Sequence, residues 1–207
     1  MYIQGAGQGL SAFSFPTLDV HDMFYSIMDR KASVDGRLFL AALPDTITAA
    51  RIFRLAGVLK RAHGFSGKLI APDRLHVSLF FLGGLQQGTE CAAREAAGEM
   101  RMPPFQVSFD RTASFRGRLG SRPFVLVGGD GVGQLKSFRQ GLGAGLAREG
   151  LKRLANTNFE PHVTLLYDAR GVAEYPLAEP ISWTVSEIVL IQSRSGHTHL
   201  AKWRLRA

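Results

Sequence analysis

What this chain has little of narrows it first. A single cysteine, Cys91, stands among 207 residues, so no internal disulfide can form and a reducing compartment is the simpler expectation. In its Ala-rich setting Cys91 reads as a small, half-buried helix residue rather than a nucleophile. No run of about 18 apolar residues occurs, and no basic stretch leads into an apolar one at the N-terminus, which predicts a soluble, cytoplasmic protein with no membrane partner. Acidic residues are in deficit: 17 Asp+Glu face 25 Lys+Arg, for a formal net charge of +8 and a pI near 10.1. That balance favours anionic partners without naming one. Several chemistries lack their signatures. No G-x-x-x-x-G-K-[ST] is present, no G-x-G-x-x-G register fits Gly128-Gly129-Asp130-Gly131-Val132-Gly133, and neither Ser78 nor Thr164 sits in a G-x-S-x-G elbow. The glycine run therefore reads as a turn. His197 and His199 alternate on one face of a strand, but no Cys/His/carboxylate cluster accompanies them, so they read as surface or edge-strand residues.

What is present is a repeat. Leu75-His76-Val77-Ser78-Leu79 returns as Pro161-His162-Val163-Thr164-Leu165, with the two histidines 86 positions apart. Side chains alternate faces along a strand, so His76 and Ser78 share one face while Val77 and Leu79 take the other; His162 and Thr164 repeat the arrangement. The flanks repeat as well. Phe39 precedes His76 by 37 positions, and Val125 precedes His162 by the same 37, so a strand, helix and histidine strand are duplicated with their spacing kept.

In chain order, residues 1–36 form an N-terminal extension, partly disordered or docked on the surface, whose Gly5, Gly7, Gly9 and Pro16 break any period. His21 there reads as solvated, and Met23 to Met28 is too short to assign. The ordered domain, 37–207, opens with the buried strand Arg37–Leu43. A helix follows, capped by Asp45 or Thr46, with Ile47, Ile52, Leu55, Val58 and Leu59 at helical spacing and Gly64 at its end. Arg51, Arg54 and Arg61 read as its solvated face, and His63 as a cation suited to its C-terminus. Residues 68 to 82 supply the first histidine strand, Thr89 to Met100 a helix, and Phe105, Val107 and Phe109 a half-buried strand. The loop from Ser114 to Pro123 carries Arg116, Arg118, Arg122 and the ring of Phe115; it suits a phosphate and a base about as well as it suits a solvated hairpin. Phe124–Val127 is a strand. Leu135, Phe138, Leu142 and Leu146 mark a helix ending near Gly150, and the second histidine strand runs from about Phe159 to Tyr167. Strands Trp183–Gln192 and His199–Leu205 close the chain.

If the two halves face each other across a pseudo-twofold axis, two imidazoles and two hydroxyls meet. A histidine titrates near pH 6.5, so one can act as base while its twin acts as acid. That division suits in-line displacement at phosphorus, the hydroxyls donating to non-bridging oxygens. It requires no metal or cofactor.

These residues resemble the H-x-[T/S]-x pair of the two-histidine (2H) phosphoesterase superfamily, and within it the bacterial RNA 2′,3′-cyclic phosphodiesterases, also called 2′-5′ RNA ligases. Arg37-Leu38-Phe39, the approach from Pro72 to His76, Phe159-Glu160-Pro161-His162 and Trp203-Arg204-Leu205 extend the similarity over 37–207. The resemblance implies an α+β fold of two pseudo-symmetric lobes, each an antiparallel sheet backed by helices, with the active cleft between them. It implies His76 as proton donor, His162 as proton acceptor, and Ser78 and Thr164 as phosphate-binding residues. The implied partner is RNA or a nucleotide with a 2′,3′-cyclic phosphate. Hydrolysis would leave a 2′-phosphate, ligation to a 5′-hydroxyl would be the reverse-type activity, and the protein would act as a monomer. The chain departs from the pattern twice: Ser78 replaces the commoner Thr, and Leu165-Leu166-Tyr167-Asp168 stands where an Arg is frequent, so that phosphate contact is either missing or supplied by Arg116, Arg118 or Arg122. Other readings of the same residues are an RNA-end-binding module with little catalysis and a phosphoesterase for a small cyclic nucleotide.

Overall fold

The computed structural model describes residues 36–84, 86–155 and 158–207; all but one position of the 1–36 extension therefore lies outside them. Two four-stranded antiparallel sheets carry the chain. The first orders its strands β2-β1-β7-β8, with β1 at Arg37–Ala42, β2 at Val77–Gly84, β7 at Glu187–Ser193 and β8 at His197–Arg204. The second is β5-β4-β3-β6, with β3 at Phe105–Ser114, β4 at Arg122–Val127, β5 at His162–Asp168 and β6 at Tyr175–Val185. The helices are α1 (Thr46–His63), α2 (Gln87–Gly98), α3 (Gly133–Arg148) and the short α4 (Lys152–Ala155). Among the described residues no helix is long and apolar enough to cross a membrane.

Each sheet has one face in a shared core and one open face. Val77 and Leu79 of β2, Val163 and Leu165 of β5, Leu126 of β4 and Leu190 of β7 join Ile52, Ala56 and Leu142 from the helices in one continuous cluster. The open face of the first sheet carries a small separate cluster of Phe39, Ala41, Val189 and Ile191, and that of the second sheet one of Ala113, Val125 and Val127. By strand alternation the histidine-bearing side chains lie on these open faces.

The first helix crosses to the other half, and the short last one makes the return contact. Asp45 caps α1 through its carboxylate, which accepts from the Thr48 backbone N–H at 2.9 Å, and Gly64 ends the helix at φ 64, a conformation that suits glycine. Although α1 follows β1, its strand contacts are with β5 and β6 of the second sheet. Its buried stripe is Thr48, Ala49, Ile52, Ala56 and Leu59. Ile47 and Val58, expected inside, are 82% and 53% exposed because that stripe of small residues is rotated away from them. His63 lies in the last turn as expected, and docking on the second sheet brings it to the Tyr175 hydroxyl at 3.1 Å and against the rings of Phe65 and Phe124. In return α3 packs against α2 and β3, and α4 rests on β2 of the first sheet.

Three local expectations change. Cys91 is exposed on α2. The residues before the first histidine form a single 3-10 turn, Pro72–Arg74, rather than continuous strand. The run from Trp183 to Gln192 is two strands, because the chain leaves the second sheet after Val185 and enters the first at Glu187 with only Ser186 between.

Candidate active site

The two histidine strands are the edge strands that adjoin: β2 and β5 lie against each other. The chain entering the first motif is tied to the second, since Ile70 N–H donates to the Leu165 carbonyl at 2.8 Å and Leu69 bridges to Leu166. The loop after α1 is fixed to the end of β5 by Asp168, a buried carboxylate that accepts from the backbone N–H groups of Ser66 (2.7 Å), Gly67 (2.8 Å) and Arg170 (2.9 Å). These bonds, that from Arg170 foremost, hold its pKa at about 2. Gly67 is required for the approach, because a Cβ there would run into the Tyr167 carbonyl.

Both imidazoles are held by the same device. His76 Nδ1 meets the carbonyl of Arg74 at 2.8 Å, and His162 Nδ1 meets that of Glu160 at 2.8 Å. A carbonyl only accepts, so each Nδ1 carries hydrogen, and in the neutral ring the lone pair falls on Nε2. Ser78 Oγ lies 3.0 Å from His76 Nε2, placing the hydroxyl to donate to a neutral His76. Thr164 shares the open face of β5 with His162 by strand parity.

A duplicated irregularity adds a third position to each motif. Pairing of β1 with β2 jumps from Ala41↔Ser78 to Leu40↔Phe80, and pairing of β4 with β5 jumps from Val125↔Thr164 to Phe124↔Leu166. The extra residue is Leu79 in one strand and Leu165 in the other. Such a bulge re-aims the side chains beyond it, so Phe81 joins His76 and Ser78 on one open face while Tyr167, paired with Pro123, joins His162 and Thr164 on the other.

The surroundings of the two rings differ. Phe39 lies 5.0 Å and His197 5.2 Å from the His76 ring, and Phe39 and His197 are 5.4 Å apart, a closed triangle of rings. His162 has Phe115 edge-on at 5.0 Å. His76 keeps some solvent exposure, yet the dense packing around the ring pushes its pKa down to about 4, with His197 and Arg74 adding like charge. His197 is lowered too, by burial first and then by Arg74 and His199. His76 in the free protein is therefore neutral at pH 7.

The edge-strand expectation holds for β8, but His197 belongs to the surroundings of the site, because its ring reaches past β7, which separates β8 from β1, to lie 5.4 Å from that of Phe39. Arg139 was also not singled out from sequence. It is a buried arginine on α3 that donates to the Leu79 carbonyl at 2.9 Å and lies over the rings of Phe80 (4.2 Å) and Phe159 (4.6 Å), so it links the flanks of both motifs. Burial lowers its pKa to about 10, leaving it charged. Of the loop residues, Phe115 reaches the site, Arg122 begins β4, and Arg118 closes a turn with Ser121. Among the described residues no group of three or more His, Cys, Asp or Glu is arranged to hold a metal ion.

Known proteins repeat this layout. An RNA 2′,3′-cyclic phosphodiesterase of Escherichia coli (strain K12) is 32% identical over 146 residues, covering 68% of this chain and 81% of that protein. One from Archaeoglobus fulgidus is 28% identical over 130 residues, 62% of this chain and 70% of its own. Among solved structures, E. coli LigT complexed with 3′-AMP superposes with a TM-score of 0.62 at 28% identity, covering 83% of this chain and 98% of that one. A crystal structure described as a phosphoesterase gives 0.67 at 29% identity, covering 83% and 99%. Residues 43–197 match the model of the 2′-5′ RNA ligase superfamily. Since that match spans both histidine motifs and most of both sheets, the chain belongs to the 2′-5′ RNA ligase superfamily, as its two-histidine pattern implied.

Proposed function

We propose that this protein hydrolyses the 2′,3′-cyclic phosphate end of RNA to a 2′-phosphate, with His76 and His162 as its acid and base. The observation that carries the reading is the matched anchoring of both imidazoles, each with Nδ1 on the carbonyl two residues before it at 2.8 Å and Nε2 set as the proton-transferring atom. The names of the relatives supply the substrate class.

His162 Nε2 takes a proton from water, the water oxygen bonds to phosphorus, the P–O3′ bond breaks, and O3′ receives a proton from His76 Nε2. A 2′-phosphate and a free 3′-hydroxyl result. Thr164 and Ser78 donate to the non-bridging oxygens, whose charge grows in the transition state. For Ser78 this means leaving His76, to which its hydroxyl is directed in the free protein. The donor role needs a protonated His76, and an anionic phosphate seated beside it offsets the like charge of His197 and Arg74 and raises its pKa. Substrate binding thus loads the acid. Ligation would put a 5′-hydroxyl in the place of the water, with the same proton transfers: the hydroxyl oxygen bonds to phosphorus, the P–O3′ bond breaks and O3′ is protonated, leaving a 2′-5′ linkage.

The test is turnover of a short RNA bearing a terminal 2′,3′-cyclic phosphate, with the product isomer identified. A 2′-phosphate is expected. A 3′-phosphate, or binding without turnover, would reject the reaction.

A further inference from the structure

Beyond the paired histidines, one charged surface is unaccounted for. On the open face of the first sheet the register aligns Arg37 with Ser193, Ser193 with His197, and Ile191 with His199. Phe39 and Ile191 belong to the open-face cluster, so His197 and His199 lie on the side that carries His76. The ring of His197 touches that of His76, and the carbonyl of Arg74 holds His76 Nδ1. Arg74, His197 and His199 are thus gathered at one edge of the site, with His199 and Arg74 exposed.

This cluster is not matched by carboxylates. Among the described residues none of the three is in a salt bridge, while Lys202 further along the same face has Glu187 at 3.6 Å. Asp73 is the carboxylate that acts on His197, and Arg74 and His199 oppose it there. The second sheet is different. Its Arg111 is engaged by Asp110 at 3.1 Å and Glu174 at 2.6 Å, and β6, the counterpart of β8, contains no histidine. A guanidinium and two imidazoles gathered outside any salt bridge, beside a catalytic ring, offer N–H donors to a bound anion. The reacting phosphate lies with His76 and Ser78, so this anion is a different group.

We propose that Arg74, His197 and His199 form a subsite for a second phosphate, the phosphodiester one nucleotide away from the reacting cyclic phosphate, so that the protein prefers oligonucleotide ends to mononucleotides. This rests on the phosphodiesterase reading above and names its substrate class. Contacts of this kind depend on salt.

The experiment compares a dinucleotide ending in a 2′,3′-cyclic phosphate with the mononucleoside 2′,3′-cyclic phosphate. The ratio of their kcat/KM values should be on the order of ten or more at low salt, and should shrink as salt rises. It should fall several-fold in His199→Gln and approach one in the double variant with His197→Gln. Arg54→Ala, on α1 and remote from this face, should keep it. Equal ratios in the wild type, a preference that survives the double change, or an equal loss in Arg54→Ala would overturn the subsite. Equilibrium binding of the two 2′-phosphate products reads the same ratio without turnover. If the dinucleotide bound more tightly while neither substrate turned over, the subsite would stand and the catalytic reading would fall.

Discussion

The two half-sites are alike in backbone and unlike in environment. Each places a histidine ahead of a bulged strand, fixes Nδ1 on the carbonyl two residues back, and buries the two apolar residues that flank the hydroxyl position. Around that shared frame, His76 has a ring triangle, a serine and two neighbouring cations, while His162 has the edge of Phe115. Duplication supplies two equivalent groups, and acid-base chemistry needs two inequivalent ones. The inequality here comes partly from residues outside the repeat, His197 on β8 and Phe115 in the β3–β4 loop, and partly from Phe39 and Ser78, which stand where the second copy has Val125 and Thr164.

The sharpest way to break the comparison is to remove each ring. His162→Ala and His76→Ala should each lower kcat by about 10² to 10⁴, the contribution of a positioned acid or base. The double variant should lose far less than the product of the two, because the pair acts as a unit. Single-turnover rates on cyclic-phosphate RNA measure this. If His162→Ala kept near wild-type turnover, the paired mechanism would be wrong.

Next in size is the hydroxyl contrast. Thr164→Ala and Ser78→Ala should each cost about tenfold to a hundredfold in kcat/KM, since each removes one donor and leaves proton transfer in place. Ser78→Ala should also move the pH profile, because the Ser78 hydroxyl bonds His76 Nε2. The wild-type kcat/KM profile should be bell-shaped, its two limbs belonging to the pair and not to either histidine alone. A chelator should leave all these rates unchanged; loss restored by a divalent ion would reject the metal-free mechanism.

Stability sharpens the same asymmetry on a smaller scale. The folded pKa of His76 lies below its unfolded value, so between pH 6.5 and about 4 the unfolded chain binds a proton that the folded chain does not. Stability should therefore fall as pH drops through that window, and His76→Gln should flatten the fall in urea unfolding. Asp168 follows the same sign lower down: its contribution is full above about 4 and is lost as pH falls toward about 2. Asp168→Ala should cost about 1 to 3 kcal/mol at pH 7, through loss of bonds to a charged acceptor.

The strands, the helices and the histidine pair were legible because each is written in local order: alternation, helical spacing, caps, and a motif that occurs twice. What was not legible arises between distant segments. Arg139 looks like any solvated helix arginine until α3 lies over β2. His197 looks like an edge-strand residue until β7 places β8 next to Phe39. Ser186 interrupts an unbroken strand-favouring run, and no turn residue announces that the chain is changing sheets. The bulges at Leu79 and Leu165 leave no trace in residue type; only the pairing register shows that Phe81 and Tyr167 turn toward the site.

The crossing of α1 has a consequence for how the molecule can be taken apart. Because α1 leaves β1 and β2 to lie on β5 and β6, while β7 and β8 return to complete the first sheet, each end of the chain finishes a layer begun by the other. Cutting between β2 and β3 would separate the two pieces covalently but not physically. The N-terminal piece would lack the two strands that complete its sheet and the C-terminal piece the helix that covers β5 and β6, so neither should fold when expressed alone, and the two expressed together should reassemble with both motifs in place.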